Sequence, residues 1–156
     1  MNENRENQRE IGTNPFWVRP NPEKEQGEIQ RAVQEFLKVQ PSGEVLQQVI
    51  DQINISPIVD LADDTWSLLE NTDSYDIRPG FLEDAENLTE EYNSQLSVEN
   101  KRNFKALVQG FKRNQPMEVP IIIKSNDRLH LLSGNTRLMI SRALSIKPKV
   151  IIAELP

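Results

Sequence analysis

The tetrad Gly134-Asn135-Thr136-Arg137 stands between two stretches with different hydrophobic periods, and that junction constrains the fold more than any other feature of the chain. Upstream, Val119-Pro120-Ile121-Ile122-Ile123 is a β-branched run and Ser125-Asn126-Asp127 is turn chemistry. Arg128-Leu129-His130-Leu131-Leu132 then reads as a second strand, so the pair predicts a hairpin. Downstream, Leu138, Met139, Ala143 and Leu144 keep helical spacing on one face, and Ser145-Ile146-Lys147-Pro148 closes that helix. Lys149 to Ala153 forms a last short apolar strand. The predicted order is strand, turn, strand, glycine corner, helix, strand.

The chain in front of this unit is helical by the same criterion. Ile29, Val33, Phe36 and Leu37 form one amphipathic stripe that stops at Pro41-Ser42-Gly43, and Val45, Leu46, Val49, Ile50 and Ile53 form a second. The short connection predicts an antiparallel helix pair. A helix is expected over about Glu83 to Asn93. Another is expected after Ser97 as its N-cap, with Phe104, Leu107, Val108 and Phe111 inward. Residues 1–27 are polar and broken by Pro15, Pro20 and Pro22, which predicts a disordered arm. Within it, Phe16 and Trp17 either dock on the body or serve as a short motif for a partner. The expected organisation is an arm over 1–27, a helical extension over 28–54 and a domain over 55–156. The expected class is α+β, a small mixed sheet with packed helices.

Composition narrows the chemistry. There is no cysteine, which excludes disulfides and thiolate metal sites, and the single His130 excludes a multi-histidine centre. No apolar run reaches the roughly 18 residues of a membrane span, and no apolar leader opens the chain, so a soluble, cytoplasmic protein is expected. The formal charge of -6 is asymmetric: residues 1–96 carry 7 basic and 20 acidic side chains, whereas residues 97–156 carry 11 and 4. The basic part either binds something anionic or attracts the acidic part within one fold.

The glycine corner is where an anion would sit. A helix N-terminus leaves its first N–H groups without intrahelical partners and carries about half a positive charge. Gly134 permits a sharp turn and close approach, Asn135 or Thr136 can cap, and Arg137 in the first turn is unfavourable against the dipole unless an anion is bound there. The alternative is an ordinary cap in which Arg137 pairs with an acidic residue of the N-terminal half.

Pro120-Ile121-Ile122-Ile123, Leu131-Leu132-Ser133-Gly134-Asn135-Thr136-Arg137-Leu138 and Arg142-Ala143-Leu144-Ser145-Ile146-Lys147-Pro148 together resemble the C-terminal half of the ParB/sulfiredoxin-like domain, over residues 117–155. Small phage-type ParB-like proteins look most similar. In that family a glycine, two variable positions and an arginine hold nucleotide phosphates: CTP in partition proteins, ATP or ADP in sulfiredoxins and free-serine kinases. The resemblance therefore implies a nucleotide-phosphate role for Ser133, Gly134, Asn135, Thr136 and Arg137, with ATP or another NTP and Mg²⁺ as ligands. Departures from the family are the missing cysteine, the missing histidine in the corner, and only a faint likeness of Val18-Arg19-Pro20-Asn21-Pro22 to its first arginine-bearing box. No helix-turn-helix module follows, which argues against a centromere-binding protein.

The acidic stretch around Asp60, Asp63, Asp64, Glu70, Asp73 and Asp76 supplies candidate partners for such a ligand. Glu70 and Asp73 are the candidate catalytic carboxylates, Asp73 also the candidate Mg²⁺ ligand, and His130 a further candidate for contact with the nucleotide. A solvated acidic loop is the competing reading. Three functions stay open. The first is a nucleotide-binding phosphotransferase or NTPase. The second is a non-enzymatic module that engages a protein partner through the arm and helices. The third is a nucleic-acid-binding or nuclease protein that uses Lys101, Arg102, Lys105, Lys112, Arg113, Lys124 and Arg128.

Overall fold

A computed structural model describes residues 15–98 and 101–155. In chain order they form β1 (Phe16–Val18), a 3-10 turn (Pro22–Glu25), α1 (Gln26–Leu37), α2 (Gly43–Ile55), β2 (Val59–Asp60), α3 (Asp63–Ser67) and a second 3-10 turn (Ser74–Asp76). There follow α4 (Leu82–Asn93), α5 (Phe104–Lys112), β3 (Pro116–Glu118), β4 (Ile121–Ser125), β5 (Arg128–Ser133), α6 (Asn135–Ala143) and β6 (Lys149–Glu154). The fold is α+β. It has a two-stranded sheet of β1 and β3 and a four-stranded sheet in the order β2-β6-β4-β5.

These elements divide into two units interleaved along the chain. One takes the chain up to Trp17, then Asp73–Met117 and Asn135–Pro148. The other takes Val18–Thr72, Glu118–Gly134 and Lys149 onward. The division passes between Gly134 and Asn135, inside the tetrad.

The unit holding the four-stranded sheet follows from its apolar pattern. β4 and β5 pair antiparallel across a turn in which Asn126 takes φ 54, a left-handed conformation that asparagine tolerates. β4 pairs parallel with β6, and β2 pairs antiparallel with β6, so the sheet is mixed. Ile121 and Ile123 of β4 and Leu132 of β5 share one core with Ile29, Val33 and Phe36 of α1 and with Val49 and Ile53 of α2. Both stripes seen in the sequence are thus sheet-packing faces. Ser42 caps α2 by accepting from the Val45 N–H. The Arg19 guanidinium binds the other end, donating to the Ile53 and Ser56 carbonyls at 2.7 Å each, where a cation favours the helix dipole.

The other unit is organised around α6. Met139, Ile140 and Ala143 pack with Ala85 of α4 and with Phe104, Val108 and Phe111 of α5. The N-cap of α5 is Asn103, whose side chain accepts from the Ala106 N–H, not Ser97. Asn93 explains the later start, because its amide bonds both the N–H (2.7 Å) and the carbonyl (2.9 Å) of Arg102 and fixes the link just before the cap. At the far end of α6, Ser145 takes φ 57, and the Ile146 N–H returns to the Ser141 carbonyl. This is a Schellman-type close, with Pro148 just beyond.

Of the segment expected as a disordered arm, residues 1–14 lie outside the described residues, and residues 16–25 carry β1 and the first 3-10 turn. The reason lies in Trp17, whose ring meets Phe111 edge-on with centroids 5.7 Å apart. Burying half of roughly 200 Å² of indole surface contributes about 2.5 kcal/mol. That is enough to offset the Trp17 indole N–H, which is buried without a partner among the described residues and costs about 1–3 kcal/mol.

Gly134 has φ 101, and a Cβ added there would lie 2.5 Å from the Pro120 Cβ and 2.8 Å from its Cα. The turn needs glycine twice over, for its dihedral and for contact with a rigid ring. Gly134→Ala is expected to lower unfolding free energy by at least about 2 kcal/mol, read from urea denaturation. A loss within 0.5 kcal/mol, about the scatter of an ordinary surface change, would show that Pro120 moves aside.

Candidate functional site

β5 is an edge strand of the four-stranded sheet, and its outer side is covered by the acidic stretch that the sequence offered as a source of catalytic groups. The Glu70 N–H donates to the Leu129 carbonyl at 3.0 Å. Asn71 continues the ladder with its side chain, accepting from the Leu131 N–H at 2.6 Å and donating to the Leu131 carbonyl at 2.8 Å. The Asn71 amide thereby stands in for a strand residue and satisfies backbone groups that an open edge would leave unmatched.

This placement brings Glu70 and His130 together. His130 is buried, with Nδ1 2.9 Å from Glu70 Oε1 and Nε2 3.2 Å from Asn71 Nδ2. The orientation of the Asn71 amide is set by Leu131, so Nδ2 faces the ring and Nε2 accepts. The ring proton then sits on Nδ1 and is donated to Glu70. Arg128 donates to the same carboxylate through Nη2 (2.6 Å) and Nε (3.3 Å), and through Nη1 to the Phe36 carbonyl (2.8 Å). Its guanidinium lies 4.2 Å from the Phe36 ring centroid, and that ring also meets His130. The Arg128 hydrogen bonds hold the Glu70 carboxyl below its ordinary range; burial opposes this, and His130 reinforces it. Both ring nitrogens of His130 and both oxygens of Glu70 are therefore engaged by the protein itself.

In the α6 unit the sequence candidates meet differently. Asp73 opens the turn that runs through the second 3-10 segment, with the Asp76 N–H on its carbonyl. That segment is tied to α6 by Arg142, which donates from Nε to the Tyr75 carbonyl at 3.1 Å and lies 4.2 Å from the Tyr75 ring centroid. The Gly80 N–H bonds the Ala143 carbonyl at 2.7 Å. Tyr92 of α4 then reaches both ends of the candidate set: its hydroxyl donates to Asp73 Oδ2 at 3.3 Å and is hydrogen-bonded to the Asn135 side chain. Burial pushes the Tyr92 phenol above its ordinary range, and the charge of Asp73 pushes it further. Thr136 is buried, and Asn135 and Arg137 are half-buried in the first turn of α6. Asp73, Asn135, Thr136 and Arg137 thus belong to one unit; Glu70, His130, Ser133 and Gly134 belong to the other.

Among the described residues no group of three or more His, Asp or Glu side chains converges as a metal site, and no helix is long and apolar enough to cross a membrane. No family model matches the chain, and no curated protein or solved structure matches it either. Sequence reasoning missed Asn71, Tyr92 and Arg142. Asn71 and Arg142 act on backbone groups about 60 to 67 positions away in the chain, and such pairings leave no local pattern. Tyr92 left one trace: it is the aromatic residue of an otherwise acidic helix end.

Asn71→Ala should cost about 2–4 kcal/mol, because it leaves the Leu131 N–H and carbonyl unpaired on a covered edge; chemical denaturation measures this. Glu70 gives a pH signature. Its depressed carboxyl contributes stability that is present above the unfolded value of about 4.3 and is lost as pH falls through the folded one. The stability gap between wild type and Glu70→Gln should therefore be full at neutral pH and shrink below about pH 4. A gap of equal size at both pH values would show that the carboxylate charge contributes nothing.

Proposed function

We propose that this chain binds the phosphate groups of a Mg²⁺-nucleotide at the start of α6, the ligand class that the likeness to ParB/sulfiredoxin-like domains implies, and acts in phosphoryl transfer or nucleotide hydrolysis. The observation that carries the reading is the chain of hydrogen bonds Asp73–Tyr92–Asn135. It ties a carboxylate to the first residue of the helix whose N-terminus bears the motif.

The chemistry divides among these residues. The N–H groups of a helix's first turn and its dipole favour an anion. Arg137 in that turn offers a fork of donors suited to phosphate oxygens. Mg²⁺ needs only one or two carboxylates when phosphates and water complete its octahedron, so Asp73 alone is an adequate protein ligand. Tyr92, with its phenol held protonated, keeps Asp73 and Asn135 in register without adding a charge. Phosphoryl transfer asks for this kind of positioning and charge neutralisation more than for covalent help.

Calorimetry with ATP, ADP and CTP in the presence of Mg²⁺ tests the reading. Wild type should bind at least one of them. Arg137→Ala should weaken that binding by tenfold or more, about 1.4 kcal/mol, while leaving thermal unfolding intact. Asp73→Asn should remove the dependence on Mg²⁺. An affinity unchanged by Arg137→Ala, or no binding at millimolar nucleotide, overturns the proposal.

A further inference from the structure

The segment 101–113 carries five cations, Lys101, Arg102, Lys105, Lys112 and Arg113, and no acidic residue, in a chain with a formal charge of -6. All five are exposed. None makes an ion pair among the described residues. The face of α5 that carries two of them is set by the core: Phe104, Val108 and Phe111 are buried, which turns Lys105, Gln109 and Lys112 outward. The backbone that presents them is fixed by the two bonds of Asn93 to Arg102 and by the Asn103 cap.

We infer that this face of α5 and the turn before it dock on the phosphate backbone of a nucleic-acid strand. These five cations have no carboxylate partner among the described residues. Arg78, Arg128 and Lys149, by contrast, each have a carboxylate within 3 Å. Among the described residues the surface therefore holds unpaired positive charge that a polyanion neutralises. Lys105 and Lys112 are two turns apart, about 10 Å along the axis, over which one strand of a B-form duplex advances about three phosphates. A protein partner would ask for an apolar or aromatic centre, and no large hydrophobic residue between 101 and 113 is exposed. Besides Ala106, the exposed residues of the segment are Lys, Arg, Asn103 and Gln109. The face offers no aromatic platform for bases, so the binding is of the backbone and indifferent to sequence.

The test is fluorescence anisotropy with a labelled short duplex and a labelled single strand, on wild type, on the double charge reversal Lys105→Glu/Lys112→Glu, and on Arg137→Ala. Both reversed positions are exposed, and thermal unfolding checks that the variant folds. Wild type should bind both probes, and three to five phosphate contacts should give a log–log salt slope of roughly -3 to -4.5 on the duplex. The double reversal should weaken binding at least tenfold, whereas Arg137→Ala should bind like wild type, which separates this surface from the nucleotide site. No binding of wild type at about 50 mM salt, or equal affinity in the double reversal, overturns the inference. So does self-association in sedimentation that the reversal abolishes without any nucleic-acid binding, since the face would then belong to a second copy of the chain.

Discussion

A sheet edge has to end somewhere, and in this chain it ends on the amide of one asparagine. The outer side of β5 exposes a row of backbone donors and acceptors that would otherwise recruit another strand. Glu70 matches one of them with its own backbone and Asn71 matches two more with its side chain. Once Asn71 is fixed by Leu131, its amino group has one orientation toward His130, so the imidazole has one tautomer and presents its proton to Glu70. Glu70 in turn collects Arg128, and Arg128 reaches the last turn of α1 at the Phe36 carbonyl. The amide clamp thus links the order of the acidic stretch, the tautomer of the histidine and, through Glu70 and Arg128, the end of the α1 helix, whose apolar face docks on the sheet.

The same device recurs in the other unit, where Asn93 clamps Arg102 as Asn71 clamps Leu131. Asparagine is suited to it because its amide carries the same donor and acceptor as a peptide group, without the charge that an aspartate would bring to a partly buried edge. In the first case the clamp closes a sheet; in the second it sets where a helix begins.

Elements governed by local pattern were legible in the sequence. The β-branched run of Ile121–Ile123, the hairpin turn at Asn126, the stripes of α1 and α2 and the order strand, strand, helix, strand after residue 117 all follow from period and turn chemistry. What the sequence could not display were pairings between distant positions. Ser97 is an N-cap residue by type, yet Asn103 caps α5 once Asn93 fixes Arg102. Glu70 and Asp73 read from the sequence as one catalytic pair, yet Glu70 joins an ion-pair network while Asp73 joins Tyr92 in the other unit. Pro15, Pro20 and Pro22 argued for disorder, and Trp17 on Phe111 with Arg19 on the end of α2 orders the chain between and beside them.

Gly134 shows how a motif residue divides its meaning. Its positive φ and its contact with Pro120 are sufficient reasons for glycine, whether or not a ligand ever approaches. A glycine at a strand-to-helix corner therefore reports on the corner. Any argument for a bound phosphate has to come from groups that the corner itself does not need. Asp73, Tyr92 and Asn135 are such groups, because the turn at Gly134 requires none of them, and Arg137 lies where the helix dipole disfavours a cation. The weight of a phosphate reading rests on these four side chains, since the corner by itself accounts for the glycine that first draws the eye.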